Sequence, residues 1–266
     1  MYVPLTLALV LTCQLPPAAK EPGGLAPFAL KRTIEIDDLE HEVQRLHDSV
    51  QQKKAHLGDS QRIVGRGAMS RADLAAEYSA CRLEEAREGE SAAYLALKVQ
   101  ERDVIDRAAP PDEAKAYELL LEWLRKQEII AQVDVDYREY ILKQSRALFQ
   151  RKAIGRQDLE EDELKLMISR TSVTLSQARQ GRVALERAER KGDDPAETKR
   201  ARAESFQTAV RYGETVADLA HRRLDLAQDR SKRGLIPANE LAIFQQGVKD
   251  ADASLTEAKG KIAKPE

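Results

Sequence analysis

The stretch "RGLIPANEL", Arg233 to Leu241, interrupts two long segments whose apolar and small residues recur every three or four residues. Steps of three and four are typical of a helix that packs along a coiled-coil seam. Two such segments joined by a short break can bury both seams only by folding back, so we expect an antiparallel helical hairpin. The seams are Phe206, Val210, Gly213, Ala217, Ala220, Leu224 and Ala227 before the break, and Leu241, Phe244, Val248, Ala251, Leu255, Ala258 and Ile262 after it.

The same kind of break occurs at two earlier places in the chain. "RGAMSRADL" runs from Arg66 to Leu74, and "RKAIGRQDL" runs from Arg151 to Leu159. The leucines that end the three breaks, at positions 74, 159 and 241, are 85 and 82 residues apart. This spacing predicts an internal repeat of about 84 residues.

Residues within the breaks suit the end of one helix and the start of another. Gly67 and Gly234 can take the left-handed conformation that often follows a helix, whereas the middle copy has Lys152 at that place and lacks the glycine signal. Ser70 begins a capping-box pattern. Pro237 suits the first position of a helix.

Two further breaks, "AAPPDE" around Pro110 and "KGDDPAE" around Pro195, lie between these turns. The fold class that follows is all-α, with long antiparallel coiled-coil hairpins in three repeats of about 84 residues. The three arginine-containing breaks would then form hairpin tips at one end of the molecule. The predicted helices span 34–65, 70–107, 112–150, 157–190, 195–232 and 237–262.

The start of the chain differs from the rest. Its apolar run ends at Cys13 and is shorter than the roughly 20 residues that cross a bilayer, but it has the length of a signal-peptide core. We therefore expect a signal peptide at 1–19, a linker at 20–33 and a six-helix domain at 34–266. The expected location is the periplasm or the outer membrane, and the cytoplasm if the first segment is not a signal.

The cysteines predict no disulfide framework. Cys13 lies in the segment expected to be removed, and whether it is lipidated stays open because Val10 and Thr12 fit a lipobox poorly. Cys81 is then the single remaining thiol and is expected to pack as a small apolar residue.

Composition and motifs favour a non-catalytic protein without metal or cofactor. Charged residues make up 33% of the chain but are interspersed, so no basic stripe indicates nucleic acid. "HEVQR" at His41 has Arg45 where a zinc-protease helix has its second histidine. Asp134 and Asp136 are two residues apart on a predicted helix and face different ways, so we interpret them as a solvated face. The aromatic residues Trp123, Tyr137 and Tyr140 are expected to pack in the core.

The hairpin tips are the candidate partner-binding site. They place apolar residues beside arginines where little of the same chain can cover them, which favours contact with another protein. The alternative is that each apolar residue only caps its own hairpin. The candidate residues are Arg66, Met69, Ser70 and Arg71, then Ile154, Gly155 and Arg156, and finally Arg233, Leu235 and Ile236.

The segment from Leu224 to Lys259 resembles the periplasmic helical hairpins of the TolC-type outer-membrane efflux family. The matching residues are Gly234, Leu235, Ile236, Glu240, Leu241, Gln245, Ala251, Leu255 and Ala258. The other two breaks are also similar to the hairpin tips of HlyD/AcrA-type periplasmic adaptors. In both families the tip is where channel and adaptor meet.

The resemblance implies a non-catalytic envelope protein that assembles through helix packing and hairpin tips. Its partner would be an efflux channel, an adaptor or another copy of the chain, with no transmembrane segment in the mature chain. The alternative is a coiled-coil scaffold or spacer without a transport role.

Overall fold

The computed structural model describes residues 32–106, 112–192 and 194–263. Within these ranges it contains six α-helices and no strand, which confirms the predicted all-α fold. A short 3-10 helix, Ala238–Glu240, precedes the last α-helix. The helices are α1 (Arg32–Gly65), α2 (Arg71–Asp106), α3 (Glu113–Gln150), α4 (Arg156–Lys191), α5 (Pro195–Lys232) and α6 (Leu241–Ala263).

The helix starts differ by more than one residue from the predicted ones at two places. α1 begins at Arg32, two residues before the predicted start at 34, and most of the linker predicted at 20–33 lies outside the described residues. The last helix was expected from residue 237, but α6 begins at Leu241, because the preceding residues form a tighter 3-10 turn closed by the bond from the Glu240 N–H to the Pro237 carbonyl at 3.1 Å. The predicted signal peptide at 1–19 lies outside the described residues.

Polar residues and glycine set the helix ends opposite the tips. Asp112 caps α3 by accepting a hydrogen bond from the Lys115 N–H at 3.1 Å. Gly192 ends α4 in the left-handed conformation, with φ of 65°. Asp194 then caps α5 through the Ala196 N–H at 2.8 Å, and Pro195 occupies the first helical position.

The helices form a single row in chain order. Each packs extensively only against its neighbours in sequence within the described ranges. Neighbours run in opposite directions: His47 of α1 lies 2.8 Å from Glu88 of α2, while the later His56 lies 3.4 Å from the earlier Glu77. The other neighbouring helices show the same reversal, each in two contacts. The contacts are Arg82–Asp136 and Glu90–Trp123 between α2 and α3, Glu118–Arg187 and Ser145–Asp162 between α3 and α4, Glu163–Arg222 and Glu189–Arg202 between α4 and α5, and Glu214–Lys259 and His221–Asp252 between α5 and α6.

The seams between helices hold the buried residues. Ala217, Ala227 and Ala251 of the predicted α5 and α6 seams are buried. The small side chains allow close approach, since a Cβ on Gly213 would lie 3.2 Å from Leu255 Cδ1. A compact apolar cluster of Val135, Leu142 and Leu166 joins α3 to α4.

Cys81 is buried, as predicted for a small packing residue, and burial raises the pKa of its thiol. Trp123 packs between α2 and α3, where its ring centroid lies 5.3 Å from that of Tyr94. Its indole N–H donates to Glu90 at 2.8 Å. The placement of Trp123 between helices agrees with its predicted role in packing.

Asp134 and Asp136 face different ways as predicted and both are partly solvent-exposed, but each also contacts a neighbouring helix. Asp134 accepts a hydrogen bond from Ser169 of α4, whereas Asp136 pairs with Arg82 of α2 at 3.1 Å. The two carboxylates therefore connect α3 to its neighbours on opposite sides. Sequence alone did not reveal this because helical spacing gives the direction of a side chain but not what lies there.

Candidate docking surface at the hairpin tips

The three breaks form turns with the same backbone geometry, named here tip 1 (residues 66–71), tip 2 (151–156) and tip 3 (233–240). Two backbone hydrogen bonds close each turn. The N–H of the left-handed residue donates to the carbonyl three residues earlier, and the next N–H donates to the carbonyl five residues before itself. The longer bonds are Ala68 to Ile63 at 3.2 Å, Ala153 to Leu148 at 2.9 Å and Leu235 to Arg230 at 2.9 Å; the shorter are Gly67 to Val64, Lys152 to Phe149 and Gly234 to Ser231, all at 2.9 Å.

The left-handed position of this turn is occupied as predicted in two copies. Gly67 and Gly234 have φ of 75° and 71°. Lys152 takes the same conformation with φ of 58°, although a side chain there carries a steric cost. The middle turn thus matches the other two despite lacking their glycine.

Each tip starts its next helix with its own cap. Ser70 Oγ accepts the Asp73 N–H at 3.0 Å, as the capping-box pattern predicts, and its hydroxyl also donates to the Asp73 carboxylate at 2.7 Å. In tip 2 the Asp158 carboxylate accepts the Gly155 N–H at 3.0 Å. Pro237 stands before the 3-10 turn of tip 3 and is not the first residue of α6.

All three tips lie at the same end of the row because neighbouring helices alternate in direction. Their predicted contact residues differ in exposure. Leu235 is 64% exposed, but Ile236 beside it is partly covered. Met69 and Ile154 are also partly covered, whereas the predicted arginines, Arg66, Arg71, Arg156 and Arg233, are exposed.

Exposed large apolar side chains concentrate at this end. Among the described residues there are eight, and six lie within eight residues of a tip; Ile129 and Ile168 are the exceptions. Five of these six were not predicted. The six are Ile63, Tyr78, Leu148, Phe149, Leu235 and Ile243.

Tips 2 and 3 are connected by charge. The Arg156 guanidinium lies 3.6 Å from the Asp229 carboxylate, and that of Arg233 lies 3.7 Å from the same group. Arg156 also donates to the partly buried Glu160 at 2.7 Å. The structure therefore brings two predicted arginines of different tips to one carboxylate, and sequence reasoning did not single out Asp229 or Glu160.

Other surfaces show no comparable arrangement. Two open grooves of about 430 and 570 Å³ lie along α3 and α4; the first is far from the tips, and the second extends to Arg146, five residues before tip 2. Their charged walls are partly neutralised by Arg187–Glu118 and Arg170–Glu139, each at 2.8 Å. In the part of the chain that the structure describes, no three His, Cys, Asp or Glu side chains lie close enough to hold a metal ion.

Across residues 32–106, 112–192 and 194–263, none of the helices is long and apolar enough to cross a membrane. Comparison with known protein families, with curated proteins and with solved structures finds no match.

Proposed function

We propose that the protein is a non-catalytic component of the cell envelope that docks onto a partner protein through its hairpin tips. The proposal follows the resemblance to the helical part of TolC-type efflux proteins, with an efflux channel or adaptor as the partner. The observation that carries it is the concentration of exposed apolar side chains at the tip end. Exposed apolar groups beside arginines are typical of protein contact sites.

The outer faces of α1 and α6, the two edges of the row, are less suited to protein contact than the tips are. The outer face of α1 exposes polar residues, and so does that of α6 apart from Ile243, which is 72% exposed near tip 3. Side-by-side packing with a second copy would bury these groups with little apolar area in return. The exposed residues are Asp37, His41, Gln44, Asp48 and Gln51 on α1, and Gln246, Gly247, Asp250, Ser254 and Glu257 on α6.

The first test substitutes the exposed tip. Leu235→Asp with Ile236→Asp should reduce recovery of a cross-linked partner from the native host at least tenfold, while helicity by circular dichroism stays unchanged. Ile129→Asp is the matched control, because Ile129 is 46% exposed but lies in the middle of α3. Equal recovery from the tip and control variants would reject docking through tip 3.

The second test concerns location. A C-terminally tagged full-length protein is expressed in its own host, and its mass and cell fraction are measured. The proposal expects a shortened chain in the periplasmic or outer-membrane fraction. A full-mass chain in the cytosol would contradict the envelope role.

A coiled-coil scaffold or spacer without a transport role is the second candidate. The polar outer faces of α1 and α6 favour it, since a solvated row needs no partner along its length. α3 has 38 residues and is about 57 Å long, so such a row could hold its two ends well apart. A scaffold that does not use its tips predicts that Leu235→Asp and Ile236→Asp leave every cross-linked partner in place.

A further inference from the structure

Four exposed cations of the tip end take part in no ion pair among the described residues. Arg66, Arg71, Arg151 and Lys152 are exposed in tips 1 and 2. Within tips 1 to 3, the ion pairs of the described residues involve Arg156 and Arg233, and none reaches these four side chains. Four positive side chains therefore stand at one end of a chain whose overall charge is −2.

Three acidic residues at this end, Asp73, Asp158 and Asp229, make hydrogen bonds or ion pairs with tip residues. The Asp73 carboxylate accepts a hydrogen bond from Ser70, and that of Asp158 accepts the Gly155 N–H. Asp229 is shared between Arg156 and Arg233. The hydrogen-bond partners of Asp73 and Asp158 are uncharged, so both carboxylates keep their negative charge. They lie beyond tips 1 and 2, whose own residues, 66–71 and 151–156, hold five basic side chains and no acidic one.

We infer that the docking surface of the partner is an acidic protein surface with apolar recesses. The inference rests on the proposed function and adds the chemistry of the partner to it. Unpaired exposed cations raise the encounter rate with a negative surface and disfavour neutral or basic ones. The apolar side chains beside them, above all Leu235, would fill the recesses.

An anionic membrane has the same sign of charge but fits the geometry less well. Interfacial membrane segments bury a broad apolar face that often includes Trp or Phe. Here Leu235 is 64% exposed, whereas Met69, Ile154 and Ile236 are partly covered by their own hairpins. The tip residues themselves include no aromatic residue; the exposed Phe149 lies two residues before tip 2, and the exposed Tyr78 lies seven residues after tip 1. Their hydrogen-bonded turns present a fixed shape, which suits a complementary protein surface.

The test places a photo-cross-linking residue, p-benzoylphenylalanine, at Leu235 in the full-length protein in its own host. The same residue at Ile129 reports background. The charge-reversal variant combines Arg66→Glu, Arg71→Glu and Arg151→Glu. The matched control combines Arg66→Lys, Arg71→Lys and Arg151→Lys, which keeps the charge, and circular dichroism verifies that both fold.

The inference expects a protein adduct at Leu235 whose cross-linked peptide lies in a segment of net negative charge. Its yield should fall at least tenfold on charge reversal and stay within twofold in the lysine variant. Capture of a protein without this charge dependence would overturn the inference but leave tip docking intact. A lipid adduct would also overturn it and identify a membrane surface instead. A yield no higher than at Ile129 would remove both the inference and the docking function.

Discussion

Arg156, the first residue of α4, places its guanidinium 3.6 Å from the carboxylate of Asp229 in the last turn of α5. The same carboxylate lies 3.7 Å from Arg233 at the start of tip 3. Two turns that are far apart in sequence thus share one acidic residue. This relationship links two predicted docking arginines of different tips through one carboxylate.

Asp229→Asn should loosen tip 2 against tip 3 without unfolding the protein. The pair is largely exposed, so we expect a loss of unfolding free energy below about 1 kcal/mol. The distance distribution between spin labels at Ala153 and Leu235 should broaden in double electron–electron resonance. Asp225→Asn is the control, because Asp225 is exposed one turn earlier on α5. An unchanged distribution in the Asp229 variant would show that the ion pair does not position the tips.

Lys152→Gly should stabilise the protein. Lys152 has φ of 58°, a conformation that costs a residue with a Cβ roughly 1–2 kcal/mol. Part of that gain is offset by the greater freedom of glycine in the unfolded chain, so about 0.5–1 kcal/mol should remain. Urea unfolding monitored by circular dichroism measures the difference.

Gly67→Ala and Gly234→Ala provide the reverse experiment. No atom lies within 4 Å of a Cβ added at either position, so any effect comes from the backbone alone. With φ of 75° and 71°, both variants should lose about 1 kcal/mol. If Gly67→Ala and Gly234→Ala raised the unfolding free energy and Lys152→Gly left it unchanged, the left-handed conformation of the three turns would be contradicted.

The repeated breaks made much of the fold predictable because turn chemistry is local. Gly67, Ser70 and Gly192 act on backbone groups within five residues of themselves, so their neighbours in sequence are sufficient to predict them. The α6 seam was predictable for a similar reason: Ala251 is buried where the three-and-four spacing places it. The 3-10 turn before Leu241 was missed because a proline is compatible with both kinds of helix start.

The candidate site was less predictable because its contacts join distant parts of the chain. Leu235 and the tip arginines were found because they lie inside the breaks. Phe149 was not found, since it occurs at a helical position and no local pattern indicates that its side chain is 39% exposed. Asp229 depends on which helix lies beside tip 2, and no local pattern specifies that neighbour.

Gly181→Ala should destabilise the contact between α4 and α5. A Cβ at this position would lie 2.6 Å from Thr208 Oγ1 and 3.1 Å from the backbone Cα of Ser205. The hydroxyl can rotate but the backbone must shift, so we expect a loss of about 1–3 kcal/mol in unfolding free energy.

Gly89→Ala in α2 is the matched control for crowding. A Cβ there meets only the flexible Lys126 side chain, with Cδ at 3.6 Å. Alanine also has the higher helix propensity, so this variant should gain about 0.5–1 kcal/mol. Equal effects of the two substitutions would show that α4 and α5 do not approach as closely as the structure has them.

Glu84→Gln tests the contact between α1 and α2 through its pH dependence. The Glu84 carboxylate accepts the Ser49 hydroxyl at 2.9 Å and lies 3.1 Å from the Lys53 ammonium. Burial tends to raise the pKa of Glu84, but the hydrogen bonds from Ser49 and Lys53 outweigh it, so the pKa is lowered in the folded protein.

A lowered pKa in the folded state means that the ionised carboxylate stabilises the fold above its unfolded pKa. This contribution is lost as the pH falls through the folded pKa. The variant should therefore be less stable by about 1 kcal/mol at pH 7, and the gap should close between roughly pH 5 and pH 3. Urea unfolding at several pH values measures it.

Glu85→Gln is the control, since its pair with Lys54 is half exposed and should contribute little at any pH. A gap between wild type and the Glu84 variant that widens in acid would mean that burial, not the Ser49 and Lys53 contacts, governs this carboxyl.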